Sequence, residues 1–248
     1  MHIPIYQTSD DTDWAVIFIH GFMGTPNQFT DLADAVHGIG CTYRSVLLPG
    51  HGGGIGDFIK PGLHDWQAHV QKEIDEIKHD YKKIFLIGHS MGGLLALNAS
   101  LIKENKISGV VLLSTPLKVY LLNPKRLLLK LRLLRLPKDD QIKAAYIESN
   151  SITASRSFFY SFAIKPAFHF YRLVQQTKKR LPEVFVPVCM FHSKNDETTS
   201  YQSAALLYDG LRNTQRTAFS LEKSWHVFYE EAEREMIKDK VIRFMQQN

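Results

Sequence analysis

Three side chains far apart in the chain have the types and settings that acyl transfer demands. Ser90 stands in Gly88-His89-Ser90-Met91-Gly92, after a wholly apolar run and before the alanine- and leucine-rich stretch 94–101. A serine hydroxyl is a poor nucleophile at neutral pH, so it needs a base, and the base needs an acid to hold it. On a strand–serine–helix turn the acid and then the histidine follow the serine, each on a loop after a later strand. His226, in Ser224-Trp225-His226-Val227, is the candidate base, because it alone among 11 histidines lies in the last strand-to-helix loop. Asp196 is the candidate acid, with Glu197 next to it as a rival. The oxyanion formed on attack needs two backbone donors, and the N–H groups of Met91 and Phe22 are the candidates. Each residue also has a plainer alternative: a glycine turn opening a helix for Ser90, a helix cap for His226, a turn for Asp196. His192, which ends a strand, is read as structural.

The elements that must position these groups can be read from the pattern. Trp14–His20, 84–88 and Ile107–Leu113 are apolar runs without clear alternation, the mark of strands covered on both faces, and Tyr43–Leu48, Pro187–His192 and Thr214–Leu221 read as further strands. Between them lie helical stretches at Gln28–His37, Tyr201–Leu211 and Tyr229–Met245, and at His64–Tyr81, where Trp66, Val70, Ile74, Ile77 and Tyr81 recur every three or four residues. Strands alternating with helices predict parallel order and right-handed crossovers, hence an α/β fold with a doubly wound, mostly parallel sheet. Pro49–Gly54 is glycine-rich but lacks the Lys-Ser/Thr ending of a phosphate-binding loop, and is expected to form a flexible rim of the site.

Residues 117–185 interrupt the alternation. They predict an inserted helical cap, leaving 1–116 and 186–248 as the core domain. The insertion carries fourteen Lys and Arg against four Asp and Glu, net +10, whereas the rest of the chain is net −5. Within it Leu127, Leu131 and Leu134 form a charge-free helical stripe, and Phe158–Tyr171 is rich in aromatics. Three readings fit this surplus of apolar surface: a lid over an apolar pocket, transient docking on an anionic membrane or lipid aggregate, and ordinary packing with basic side chains reaching to water.

Other function classes find little support. No histidine spacing suits a metal, so neither metal nor cofactor is expected, and no nucleic-acid partner. Cys41 and Cys189 are too few for a disulfide scaffold. With no basic-then-apolar leader and no apolar run long enough to span a bilayer, the expected location is cytoplasmic.

Gly88-His89-Ser90-Met91-Gly92, His20-Gly21-Phe22-Met23-Gly24, Pro49-Gly50-His51-Gly52, Asp196 and His226 together resemble the α/β-hydrolase superfamily, and within it small bacterial carboxylesterases and monoacylglycerol lipases. The likeness covers nearly all the chain outside the insertion. It implies a Ser90-Asp196-His226 triad, backbone donors at Phe22 and Met91, a helical cap, and cofactor-free hydrolysis of medium or long acyl esters through an acyl-enzyme. Thioester or amide hydrolysis uses the same triad, and a lipid- or partner-binding module is the non-enzymatic alternative. One departure follows the acid: relatives usually carry an apolar residue there and often a proline, whereas this chain has Glu197-Thr198-Thr199-Ser200.

Overall fold

The computed structural model describes residues 2–9, 12–119, 128–129, 132–133, 135–137, 139–152 and 164–248. Seven strands form one sheet: β1 (Ile5–Gln7), β2 (Trp14–Ile19), β3 (Thr42–Val46), β4 (Lys83–His89), β5 (Ile107–Leu113), β6 (Val188–Ser193) and β7 (Arg216–Leu221), in the order β1-β3-β2-β4-β5-β6-β7. All neighbours are parallel except β1, which pairs antiparallel with β3 at one edge.

The helices are α1 (Thr30–Gly38), α2 (Ile55–Phe58), α3 (Leu63–Asp75), α4 (Met91–Ser100), α5 (Gln141–Glu148), α6 (Ile164–Arg180), α7 (Gln202–Gly210) and α8 (Glu231–Gln247). Alternation along the strands assigns them to two faces. Ala15, Ile17, Ile19, Ile84, Leu86, Val110, Leu112 and Met190 share one buried cluster with side chains of α3, α4, α6 and α7. Val16, Phe18, Phe85, Ile87, Val111 and Phe191 point the other way, into a cluster with α1 and α8. Both faces are covered, which is why these strands carry apolar residues at successive positions rather than at alternate ones. Each Val, Ile or Leu so buried contributes about 1.5–3 kcal/mol relative to exposure. The doubly wound sheet expected from the pattern is the sheet observed.

The chain runs from β2 outward to β3, then returns across β2 to β4, so strand order reverses between β2 and β4. Crevices at the carboxyl ends of strands form at such reversals. The loops after β2 and β4 meet there.

Three local outcomes depart from the pattern. β1 was not expected; it is held by Tyr6, whose ring lies under the Arg44 guanidinium and whose hydroxyl donates to Glu73 Oε1 at 3.0 Å. The helix expected over His64–Tyr81 ends at Asp75, and its apolar spacing continues because Ile77 packs inward from the following turns. Loop 49–54 is tied down at His51, whose buried ring bonds the Leu48 and Pro49 carbonyls and the Met23 N–H of the loop after β2. Within residues 117–185 the structure describes α5, started by Asp140 accepting from the N–H groups of Ile142 and Lys143, and α6, packed on α3 and α4. The stripe Leu127, Leu131 and Leu134 and residues 158–163 lie outside the described residues.

Candidate active site

Ser90 follows β4 directly and precedes the first residue of α4. Its backbone has φ 52° and ψ −119°, and a non-glycine residue held at positive φ carries roughly 1–3 kcal/mol of strain. What holds it there is close packing. A Cβ on Gly92 would lie 1.8 Å from the Ile19 carbonyl oxygen, and one on Gly88 2.4 Å from the Gly92 carbonyl carbon. Only glycine lets β4, α4 and β2 approach so closely. The Ser90 N–H donates to Leu113 O at 2.8 Å, while its side chain does not cap α4.

Asp196 and His226 come from loops after β6 and β7, on the same side of the sheet. Asp196 Oδ2 accepts from His226 Nδ1 at 2.8 Å, and both residues are buried. Asp196 Oδ1 accepts from the backbone N–H groups of Thr198 at 2.8 Å and Thr199 at 2.6 Å. Burial alone would raise this carboxyl's pKa; the His226 charge and these hydrogen bonds outweigh it and hold the pKa below the usual value. Glu197 is also buried, yet its Oε2 accepts from the His226 backbone N–H at 3.2 Å rather than from the ring. The two neighbouring carboxylates therefore grip different parts of the same histidine.

The His226 loop reaches the Ser90 turn through His89. The His89 Nε2–H donates to the His226 carbonyl oxygen at 2.8 Å, and the two imidazoles lie 4.8 Å apart, centroid to centroid. Among the described residues, no hydrogen bond of the Ser90 hydroxyl accompanies that link. Burial, and then the nearby His226 charge, push His89 down to about 3, so it is neutral and bears its proton on Nε2.

On the other side of Ser90 runs the loop after β2. A Cβ on Gly21 would sit 3.0 Å from the Ser90 Cβ, so the backbone leading into Phe22 lies against the serine. Two buried histidines fix its course. His20 accepts the Leu48 N–H on Nε2 at 3.0 Å and donates from Nδ1 to Gly21 O at 2.9 Å. His51 accepts the Met23 N–H on Nε2 at 3.2 Å and donates from Nδ1 towards the Leu48 and Pro49 carbonyls. These roles require neutral rings, and burial lowers both: His51 to about 4, His20 well below its ordinary value. Beyond the loop the Phe22 ring joins an aromatic wall with Phe58 at 5.0 Å, Phe170 of α6 at 5.5 Å and Trp66 at 6.4 Å.

Order and spacing in the sequence assign no role in the site to His20, His51 or His89. The available signal was a titratable residue ending each of two apolar strands immediately before the turns at 21 and 90. Tyr146, whose hydroxyl donates to Glu197 Oε1 at 2.6 Å, carried no signal at all.

Residues 10–233 match the family model described as "Serine aminopeptidase, S33". The chain belongs to that family. Its α/β-hydrolase architecture agrees with the sheet above, and with the resemblance drawn from the motifs. The chain is 27% identical over 238 residues to the thermostable monoacylglycerol lipase of Bacillus sp. (strain H-257), covering 92% of this chain and 89% of the relative. It is 21% identical over 247 residues to a carboxylesterase of Bacillus subtilis (strain 168), covering 94% and 93%. Among solved structures, one of two metagenome-derived lipolytic enzymes, LipS and LipT, superposes with a TM-score of 0.78 at 20% identity, over 99% of this chain and 98% of that one. Relatives along the whole length are named as ester hydrolases, and the expectation of an enzyme is borne out.

Proposed function

We propose that this hydrolase cleaves carboxylic esters of medium or long acyl chains, such as monoacylglycerols, with Ser90 as nucleophile, His226 as base and Asp196 as acid. The observation that carries the reading is the buried 2.8 Å Asp196–His226 pair, in a loop bonded to the residue preceding a strained serine at a strand–helix turn. In this scheme His226 takes the Ser90 proton as the hydroxyl attacks the acyl carbonyl, and Asp196 orients the ring and stabilises its cation. The N–H groups of Phe22 and Met91 receive the oxyanion. The alcohol leaves with the proton from His226, and water then frees the acid by the same roles reversed.

Acyl length rests on the aromatic wall of Phe22, Phe58, Trp66 and Phe170, and on the lipases among the relatives. Residues 117–185 act as a helical cap over this wall. α6 presents Ile164, Phe168 and Tyr171 to solvent on one face, beside Lys165 and Arg172, and this face rests transiently on an anionic lipid surface. Two buried, unbridged thiols suit a reducing compartment, the cytoplasm.

The test is a panel of p-nitrophenyl and glycerol esters of graded chain length, run beside acyl-CoA, with fluorophosphonate titration of the active sites. Turnover is expected to rise from short to medium chains and to vanish in Ser90→Ala, which also loses the label while melting like the parent. A labelled, active Ser90→Ala protein refutes the nucleophile, and a preference for acyl-CoA moves the chain to thioesters.

A further inference from the structure

Beside the proposed acid lies a second carboxylate that the reaction does not use. Glu197 is 2% exposed, and a carboxylate leaves water at tolerable cost only where hydrogen bonds replace its hydration. Its two oxygens are held by different parts of the molecule. Oε1 accepts from the Tyr146 hydroxyl of α5 at 2.6 Å and from the Thr198 hydroxyl at 3.3 Å, and Oε2 from the His226 backbone N–H at 3.2 Å.

His226 lies in irregular backbone, outside any strand or helix. Side chains hold its main chain: Glu197 bonds the N–H and His89 the carbonyl, while Asp196 fixes the ring. Just past Tyr146 the same segment reaches the opposite loop. The buried Ser151 donates its N–H to Met23 O at 2.9 Å, next to Phe22. The short stretch 146–151 therefore touches both the histidine's support and the loop proposed to carry an oxyanion donor.

We propose that Glu197 is a positioning residue for His226, and that Tyr146 and Ser151 make residues 146–151 a brace setting the imidazole and the oxyanion loop together. This rests on the Ser90-Asp196-His226 reading. An ångström of drift in the His226 backbone moves the ring off the line of proton transfer, and misplacements of that size lower rates by up to about a hundredfold. The brace thus acts on the chemical step, not on substrate affinity.

The experiment measures kcat and KM on a short p-nitrophenyl ester, per fluorophosphonate-titrated site, for the full-length parent, Glu197→Ala, Glu197→Gln, Tyr146→Phe and the Glu197→Ala/Tyr146→Phe double variant. Glu197→Ala is expected to lower kcat about tenfold or more with KM within about twofold. Glu197→Gln keeps an acceptor for the N–H and a partner for the Tyr146 hydroxyl, so it recovers kcat to within about threefold of the parent. Tyr146→Phe lowers kcat by a smaller factor, and the double variant is no slower than Glu197→Ala, since both losses pass through one carboxylate. If Glu197→Ala does not fold, Tyr146→Phe and Glu197→Gln decide the matter.

Unchanged kcat in Tyr146→Phe, multiplying losses in the double variant, or a loss confined to KM or to the titratable fraction overturns the brace. If the parent is active, Ser90→Ala is dead and those results still appear, the brace alone falls. If Ser90→Ala keeps turning over, the triad reading falls and takes the brace with it.

Discussion

At the scale of residues, two adjacent carboxylates divide the work around one histidine. Successive side chains in an irregular turn diverge, so Asp196 reaches the imidazole while Glu197 reaches the backbone and the Tyr146 hydroxyl. Only the ring contact fixes the tautomer that a base needs, with Nδ1 protonated towards the carboxylate and Nε2 free to accept. Asp196→Asn, whose amide can hold the wrong tautomer, is therefore expected to lower kcat by about 10⁴, while Glu197→Gln stays within about threefold. Steady-state rates of the two purified variants on one ester check this, and equal losses would reverse the assignment of the acid. Ser90 and His226 could be picked out from their order and flanks. The choice between Asp196 and Glu197 could not, because neighbours in sequence share every positional argument and differ only in where their side chains turn.

At the scale of elements, what the pattern captured were the parts whose burial repeats along the chain. β2, β4, β5 and β6 are covered on both faces, so each residue adds to the signal. β1 gives none: it is three residues long, partly exposed, and held by side chains of β3 and α3. Residues 117–185 break the alternation and stand apart in charge, but the contacts of their described helices depend on where separate short helices settle. α6 illustrates both. Leu173 and Val174 on its inner side join the core, while Ile164, Phe168 and Tyr171 repeat at four- and three-residue spacing on a face exposed by half or more. Lys165 and Arg172 beside that face give it the charge an anionic bilayer attracts, each such residue contributing about 1 kcal/mol near the surface. Lys165→Glu/Arg172→Glu is expected to weaken binding to phosphatidylserine-containing vesicles by at least about tenfold. Raising salt should reproduce the effect, since the Debye length shrinks to about 3 Å at 1 M. Vesicle sedimentation at two salt concentrations measures it, and binding unaffected by either change would leave α6 to its packing role.

At the scale of the whole molecule, the reversal of strand order between β2 and β4 gathers buried histidines around the strand ends, and this ties stability to pH. His20 and His51 hold the loop after β2 to the loop after β3, and His89 holds the turn after β4 to the loop after β7. Burial lowers all three, His51 to about 4, His89 to about 3 and His20 well below its ordinary value. In the unfolded chain each returns to about 6.5. Between that value and its folded value, the unfolded chain binds a proton that the native ring refuses. The stability tied to each ring is thus complete above about pH 6.5 and is lost as pH falls towards the folded pKa, by about 1.4 kcal/mol per pH unit per ring. Asp196 follows the same sign in a lower window, losing its share only below about 3.9, where the unfolded carboxyl begins to protonate. Urea unfolding at pH 7.5, 6.5 and 5.5 is therefore expected to show a shallow fall and then a steeper loss of about 3 kcal/mol between pH 6.5 and 5.5 from these three rings, to which the buried His192, lowered likewise, adds. His51→Gln removes one of these titrations. It costs stability at every pH, because the ring packs against Phe58 and His20, but it should make the loss between pH 6.5 and 5.5 smaller by about 1 kcal/mol. An unchanged slope would mean that His51 takes up its proton without the loops parting.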